Sequence, residues 1–256
     1  MTNKTTTICC AVALLATTAA TPALSQTKGF EGLSLGVGGT FTSSNTDTSL
    51  TTSLSSFKIK SGDYSNVAFI DASYGIPVSN NFLLSFGGRY DLGKNKGGSL
   101  STSATAEAGS LVWDDGEGGA TPTSEDITET INLNYDYKDH YSIYIAPTYI
   151  LNNTTAFFGK IGYHTQKGTL NYSEKYAGAV PDLAELGFED YSASRSKNFS
   201  GYGYGVGFKT LISNNLYLQL DVDYIDYDSE NFTSGNVSYK FKPESVNAAL
   251  SLGYKF

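Results

Sequence analysis

Leu216-Tyr217-Leu218-Gln219-Leu220-Asp221-Val222-Asp223-Tyr224 is the stretch that decides the fold. Leu216, Leu218, Leu220, Val222 and Tyr224 are apolar, and Gln219, Asp221 and Asp223 stand between them. Successive side chains of a β-strand point to opposite faces, so the stretch reads as one strand with an apolar and a polar face. The pattern recurs seven times. Leu33, Leu35, Val37, Gly39 and Phe41 form the first set, and Ala68, Ile70, Ala72, Tyr74 and Ile76 the second. The third is Phe82, Leu84, Phe86, Gly88, Tyr90 and Leu92, and the fourth Tyr141, Ile143, Ile145, Pro147 and Tyr149. Phe157, Gly159, Ile161, Tyr163 and Thr165 form a weaker fifth, followed by Tyr202, Tyr204, Val206, Phe208 and Thr210. The chain closes on Val246, Ala248, Leu250, Leu252, Tyr254 and Phe256. None of these positions is charged. The interleaved positions carry Asp71, Arg89, Asp91, Lys160, Lys209, Asp221, Asp223 and Lys255.

A soluble sandwich would also alternate, but two features favour a membrane. The apolar stretches run about 10 residues, the length that a tilted strand needs to cross the hydrocarbon. The connections also alternate in length. Asn80-Asn81, Asn152-Asn153 and Asn214-Asn215 mark tight turns, whereas 43–65, 94–130, 167–198 and 226–244 are long. The expectation is an all-β chain: an eight-stranded antiparallel up-and-down transmembrane barrel with short periplasmic turns and long extracellular loops. Aromatic residues sort to the strand ends. Phe82, Tyr149, Phe157, Tyr254 and Phe256 fall at the inner interface, and Phe41, Tyr90, Tyr141, Tyr202 and Tyr224 at the outer one. Rings with an apolar body and a polar tip suit those two levels.

Residues 1–25 read as a cleaved export signal, with Lys4, an apolar run from Ile8 to Ala16, and small residues at Ala23-Leu24-Ser25. Residues 26–256 are then the barrel domain. Cys9 and Cys10 both lie in the signal, so the expected mature chain has no disulfide framework, thiolate metal site or cysteine nucleophile. Without Lys4 it keeps 16 basic and 25 acidic residues, net −9, which argues against nucleic acid as a partner.

The end of the chain, Leu250-Ser251-Leu252-Gly253-Tyr254-Lys255-Phe256, resembles the C-terminal assembly signal of bacterial outer-membrane proteins. The stretches Tyr74-Gly75-Ile76-Pro77-Val78-Ser79-Asn80-Asn81-Phe82 and Tyr144-Ile145-Ala146-Pro147-Thr148-Tyr149 resemble hairpins of the OmpA-like and opacity-like eight-stranded barrels. The resemblance covers residues 28–256 and implies an outer-membrane location among lipid and lipopolysaccharide. It also implies that the barrel assembly machinery reads Leu250, Leu252, Tyr254 and Phe256. The sequence ends at the barrel, so no peptidoglycan-binding domain is expected.

An eight-stranded barrel is just wide enough for its own side chains to fill. Gly201, Gly203, Gly205 and Gly207 would leave room on one wall for long side chains from other strands. Four acidic and four basic residues share the interior, and Arg89 with Asp71, and Lys209 with Asp221, are the expected pairs. His140-Tyr141-Ser142 is similar to the His-x-Ser of outer-membrane lipid A deacylases. The carboxylate such a triad wants is not found between Asp139 and Glu174, and Ser142 should face the lumen, so no catalytic site is expected. No metal or cofactor site is expected either, since neither Trp113-Asp114-Asp115-Gly116-Glu117 nor residues 181–190 have calcium-loop spacing.

The function expected is structural or adhesin-like, with a host or matrix ligand on the loops; a narrow ion channel is the alternative, and a lipid A-modifying hydrolase ranks behind it. Loop three holds Leu183, Leu186 and Phe188 among its acids. The fourth strand's alternation begins early, at Ile131, Leu133, Tyr135 and Tyr137. It is expected to run on as a ribbon beyond the membrane, offering an edge and an aromatic stripe to a partner.

Overall fold

The computed structural model describes residues 26–51, 56–106, 112–114, 120–122, 126–178, 189–234 and 237–256. The expected export signal with Cys9 and Cys10, residues 115–117 of loop two, and Leu183, Leu186 and Phe188 lie outside the described residues. A 3-10 turn (Gln26–Gly29) precedes β1 (Gly32–Thr51), β2 (Ser56–Ser79), β3 (Phe82–Asp91) and β4 (Lys94–Ala106). A small hairpin of β5 (Val112–Asp114) and β6 (Ala120–Pro122) follows. Then come β7 (Ile127–Ile150), β8 (Thr155–Gly178), β9 (Tyr191–Leu211), β10 (Leu216–Tyr227), β11 (Glu230–Ser234) and β12 (Val237–Lys255).

All the ladders are antiparallel, and the order β1-β2-β3-β7-β8-β9-β10-β12 closes on itself because β12 also pairs β1, from Ser34↔Lys255 to Thr51↔Ser238. β3 and β4 are one stave broken at Leu92–Gly93, since both pair β7. β10 and β11 likewise both pair β12. Eight staves result. Closure leaves no open sheet edge around the ring, whose backbone groups lipid could not satisfy.

The alternation sets the phase. Leu35, Val37, Ile70, Phe86, Ile143, Ile161, Tyr204, Val222 and Leu252 all point outward and are exposed. Asp71, Arg89, Asp91, Ser142, Lys160, Gln219, Asp221 and Asp223 point inward and are buried. A water-exposed belt of this composition would be costly, whereas hydrocarbon accepts it. Outward aromatics meet neighbours along the strand ends, as in Phe41–Tyr64, Tyr163–Tyr202, Tyr204–Tyr224 and Tyr254–Phe256.

The long connections expected at the loop end are in large part strand. β1 and β2 pair up to Thr51↔Ser56, and β7 and β8 up to Ile127↔Gly178. The sequence hid this because Thr, Ser and Asn occupy both faces there: water lies outside, and inside Ser44, Thr46 and Thr48 are buried. Threonine nevertheless suits a pleated strand.

Beyond the belt the ring flattens. The β2–β3 ladder stops at Phe69↔Asp91, and the β9–β10 ladder at Gly201↔Tyr227. Above those points β4-β7-β8-β9 and β2-β1-β12-β11 face one another as two four-stranded sheets. Side chains close the two seams. Ser65 Oγ donates to Asn95 Oδ1 (2.8 Å) across one, and Lys197 Nζ binds Glu230 Oε2 (2.6 Å) across the other.

Candidate functional site: a sealed lumenal charge cluster

Glycines make the site possible. On β9 a Cβ at Gly203 would lie 2.5 Å from Nε2 of His164, one at Gly205 would overlap Asp223, and one at Gly207 would lie 2.4 Å from the Phe158 ring. The glycine wall is therefore occupied by side chains of β8 and β10. Lys160 and Asp223 are both in register with Gly205, so Lys160 can reach past β9 to β10.

Asp221 is the hub. Arg89 Nη2 donates to both of its oxygens, at 2.9 and 3.0 Å, Lys160 Nζ at 2.8 Å and Gln219 Nε2 at 3.1 Å. Arg89 stands on β3 and Asp221 on β10, four staves apart in a ring of eight, so this charge-assisted pair, made through one guanidinium nitrogen, crosses the full lumen. Lys160 also binds Asp223 at 2.6 Å. Arg89 lies 3.7 Å from Asp71, its neighbour in register, and 3.8 Å from Asp223. Asp71 is held further by Tyr144 Oη at 3.0 Å. The guanidinium sits 4.1 Å over the Phe69 ring, adding a cation–π contact in a buried setting.

The expected pairs change accordingly. Lys209 does not pair with Asp221; it is in register with Gln219 and lies 4.2 Å over the Tyr217 ring. Counting turns found the right neighbourhood but could not show that Arg89 and Lys160 fill Asp221's lone pairs from other staves. Lys255 stands apart at the turn end, where its Nζ reaches the Lys28 carbonyl at 2.6 Å. Asp91 meets no lysine or arginine among the described residues and is bound by His140 Nδ1 at 2.8 Å.

That contact supplies the carboxylate which the sequence between Asp139 and Glu174 lacks. His140 Nε2 faces His164 Nδ1 at 3.2 Å, with the ring planes within 13°, so the rings meet edge to edge. A His140 that donates from Nδ1 to Asp91 has Nε2 left to accept from His164 Nδ1. Ser142 is buried at 4% exposure and makes no contact with His140 that would activate it. An Asp–His–His relay is present, but its free nitrogen points at glycine rather than at a serine.

Apolar side chains close both ends of this polar chamber, which the sequence reading missed. At the loop end Tyr135, Tyr137, Phe199, Ile225, Tyr227 and Phe241 form one buried cluster. Thr46 Oγ1 meets the Tyr137 hydroxyl at 2.7 Å and Thr48 that of Tyr135 at 3.3 Å, so the polar tips are satisfied too. At the turn end Phe30, Leu83, Ile150 and Ala156 form a second cluster, packed by Leu211. Phe30 arrives from the N-terminal turn, which folds back under the mouth. The lumenal cavity beside Lys160, Lys209 and Gln219 is about 30 Å³, room for one or two waters, and the one within the outer cluster about 10 Å³.

The expected aromatic stripe is overturned by one residue. β7 and β8 do extend beyond the belt, but the register shifts between Lys138 and Tyr141, and Asp139 takes φ 54°. This β-bulge exchanges the two faces. Tyr141 therefore points outward, whereas Tyr135 and Tyr137, with the same parity, are buried inside. The β7 edge is not open either, because β4 covers it. Farther out, Glu174 accepts from Tyr172 at 2.6 Å and from Tyr176, which holds its carboxyl below the ordinary value; the same bond pushes Tyr176 up to about 12.

At the chain end Tyr254 and Phe256 pack edge to face at 4.9 Å, and the Phe256 N–H donates to the Leu33 carbonyl. Leu250 and Leu252 are outward on the same strand.

A 22 kDa outer membrane protein of Rhizobium leguminosarum bv. viciae is 29% identical over 100 residues, 38% of this chain and 44% of that protein, so less than half of the relative is spanned. The crystal structure of Ail, the attachment invasion locus protein of Yersinia pestis, is similar at 15% identity over 88% of this chain and 99% of that one, with a TM-score of 0.38. The outer membrane protein OprG from Pseudomonas aeruginosa matches at 11% identity over 90% and 98%, with a TM-score of 0.45. Residues 10–256 match the model of the outer membrane protein beta-barrel domain. With its closed ring of eight alternating staves, this chain belongs to that family and resides in the bacterial outer membrane.

Proposed function

We propose that the protein is a non-conducting, non-catalytic surface barrel whose activity lies on its extracellular loops, in contact with a host or matrix ligand. One observation carries this reading: the polar chamber is shut at the extracellular end by six apolar and aromatic side chains and at the periplasmic end by Phe30 with its neighbours. An ion would have to leave water, cross both apolar layers and disrupt ion pairs that span the lumen. The buried histidines, Asp91 and Ser142 are likewise closed to a substrate. Selectable chemistry is left to the parts outside the membrane, where a rigid scaffold carries its variable connections. Leu250, Leu252, Tyr254 and Phe256 are assigned as the strand read by the barrel assembly machinery.

The test is to delete residues 107–125 and 179–188 and join the strands by tight turns. The shortened protein is expected to keep heat-modifiable migration in outer-membrane fractions but to lose the cell or matrix adhesion of the wild type. Adhesion at wild-type strength by a folded, shortened protein would refute the reading.

A further inference from the structure

Just outside the aromatic girdle, three lysines fall in one lateral row. Lys94 on β4 is in register with Lys138 on β7, and Lys138 with Lys167 on β8. Their neighbours along the strands, Asn95, Tyr137, Gln166 and Gly168, are buried, so all three lysines lie on the outer face. Adjacent strands are about 4.8 Å apart, and like charges directly opposite one another destabilise a sheet. None of the three makes an ion pair among the described residues, although ion pairs form at Lys60, Lys197 and Lys242. The nearest acids along the chain do not offset the row. Asp136 sits in the next row out, opposite Lys96 and bound by Asn171, and Asp139 occupies the bulge.

Level and surroundings point to the occupant. Tyr90 and Tyr141, paired with each other, are the outer-girdle residues immediately below the row. The outward residues Tyr90, Leu92 and Lys94 follow one another on a single stave. Tyr90 is also the outer end of an open, lipid-facing furrow of about 650 Å³, where Gly88 and Ala72 leave space between Leu35, Val37 and Ile70. An apolar furrow ending under a positive row matches an amphiphile with an acyl chain and an anionic headgroup. We propose that Lys94, Lys138 and Lys167 bind the phosphate of an outer-leaflet glycolipid whose acyl chain lies in the furrow below. This site is independent of whether the loops bind a further ligand.

The full chain, refolded in phosphatidylcholine vesicles containing bisphosphorylated lipid A, is extracted and its retained lipid A counted by native mass spectrometry. The variant Lys94→Gln, Lys138→Gln, Lys167→Gln is compared with Lys58→Gln, Lys175→Gln, Lys240→Gln, which removes the same charge from exposed lysines elsewhere. Each lysine near an anionic surface contributes enough for the first variant to retain on the order of tenfold less, with the control near wild type. Single Lys138→Gln should lose several-fold, which keeps the test open should the triple variant not refold. Fully dephosphorylated lipid A should be retained poorly, and inorganic phosphate should not displace the bound lipid. Equal losses in the two triple variants, undiminished retention of dephosphorylated lipid A, or displacement by inorganic phosphate alone would overturn the proposal.

Discussion

Asp221→Ala is expected to destabilise the folded barrel by roughly 3–5 kcal/mol, the cost of breaking a buried ion pair by removing one partner. The carboxylate accepts from Arg89, Lys160 and Gln219 at once, and it is 1% exposed. Its loss leaves two cations facing each other in a buried lumen, with Asp223 the nearest remaining acid to Lys160 and Asp71 and Asp223 at 3.7 and 3.8 Å from Arg89. Much of the penalty is therefore the stranded charge. Adding Arg89→Met to Asp221→Ala should return about 1 kcal/mol or more, since residues in one network are not additive. Urea titration in lipid vesicles, read by heat-modifiable migration, checks both. Simple additivity of the two substitutions would mean that the pair does not carry the load assigned to it.

Leu220→Arg should cost about 2–4 kcal/mol, and Leu216→Arg on the same strand only about 0–1 kcal/mol. Both leucines point outward and are similarly exposed, at 38% and 41%. They differ in depth. Leu220 is midway along β10, whereas Leu216 begins it beside the turn, where an arginine can reach the headgroups. The same titration reads the difference. Equal costs at the two positions would place Leu220 away from the hydrocarbon midplane and shift the whole belt along the strands.

The ring itself was legible because its signal is local. Over the membrane-spanning segments, one face of every stave, from Leu33 to Phe256, excludes charge, and no tertiary knowledge is needed to see that. The lumenal charges were legible as a set for the same reason. Their partners were not, because Arg89 and Asp221 meet across four staves, and no spacing rule on one hairpin reports a contact of that range. The outer cap was half visible. Tyr217, Ile225 and Tyr227 share the parity of Asp221 and Asp223, so an inward face with apolar ends and a polar centre could have been read from β10 alone. On β7 the parity misled, because a bulge at Asp139–His140 has no strong sequence mark and moves Tyr135 and Tyr137 from outside to inside. The lysine row depends on two registers at once and was invisible for that reason.

Single-channel recording in planar bilayers tests most directly whether the barrel is sealed. The purified, folded protein is expected to give no steady conductance. Opening both caps, with Phe30→Ala combined with Tyr137→Ala and Tyr227→Ala, should make current flow. Steady ohmic steps from the wild type, altered by exchanging the charges of Arg89 and Asp221, would contradict the account and establish the lumen as a channel.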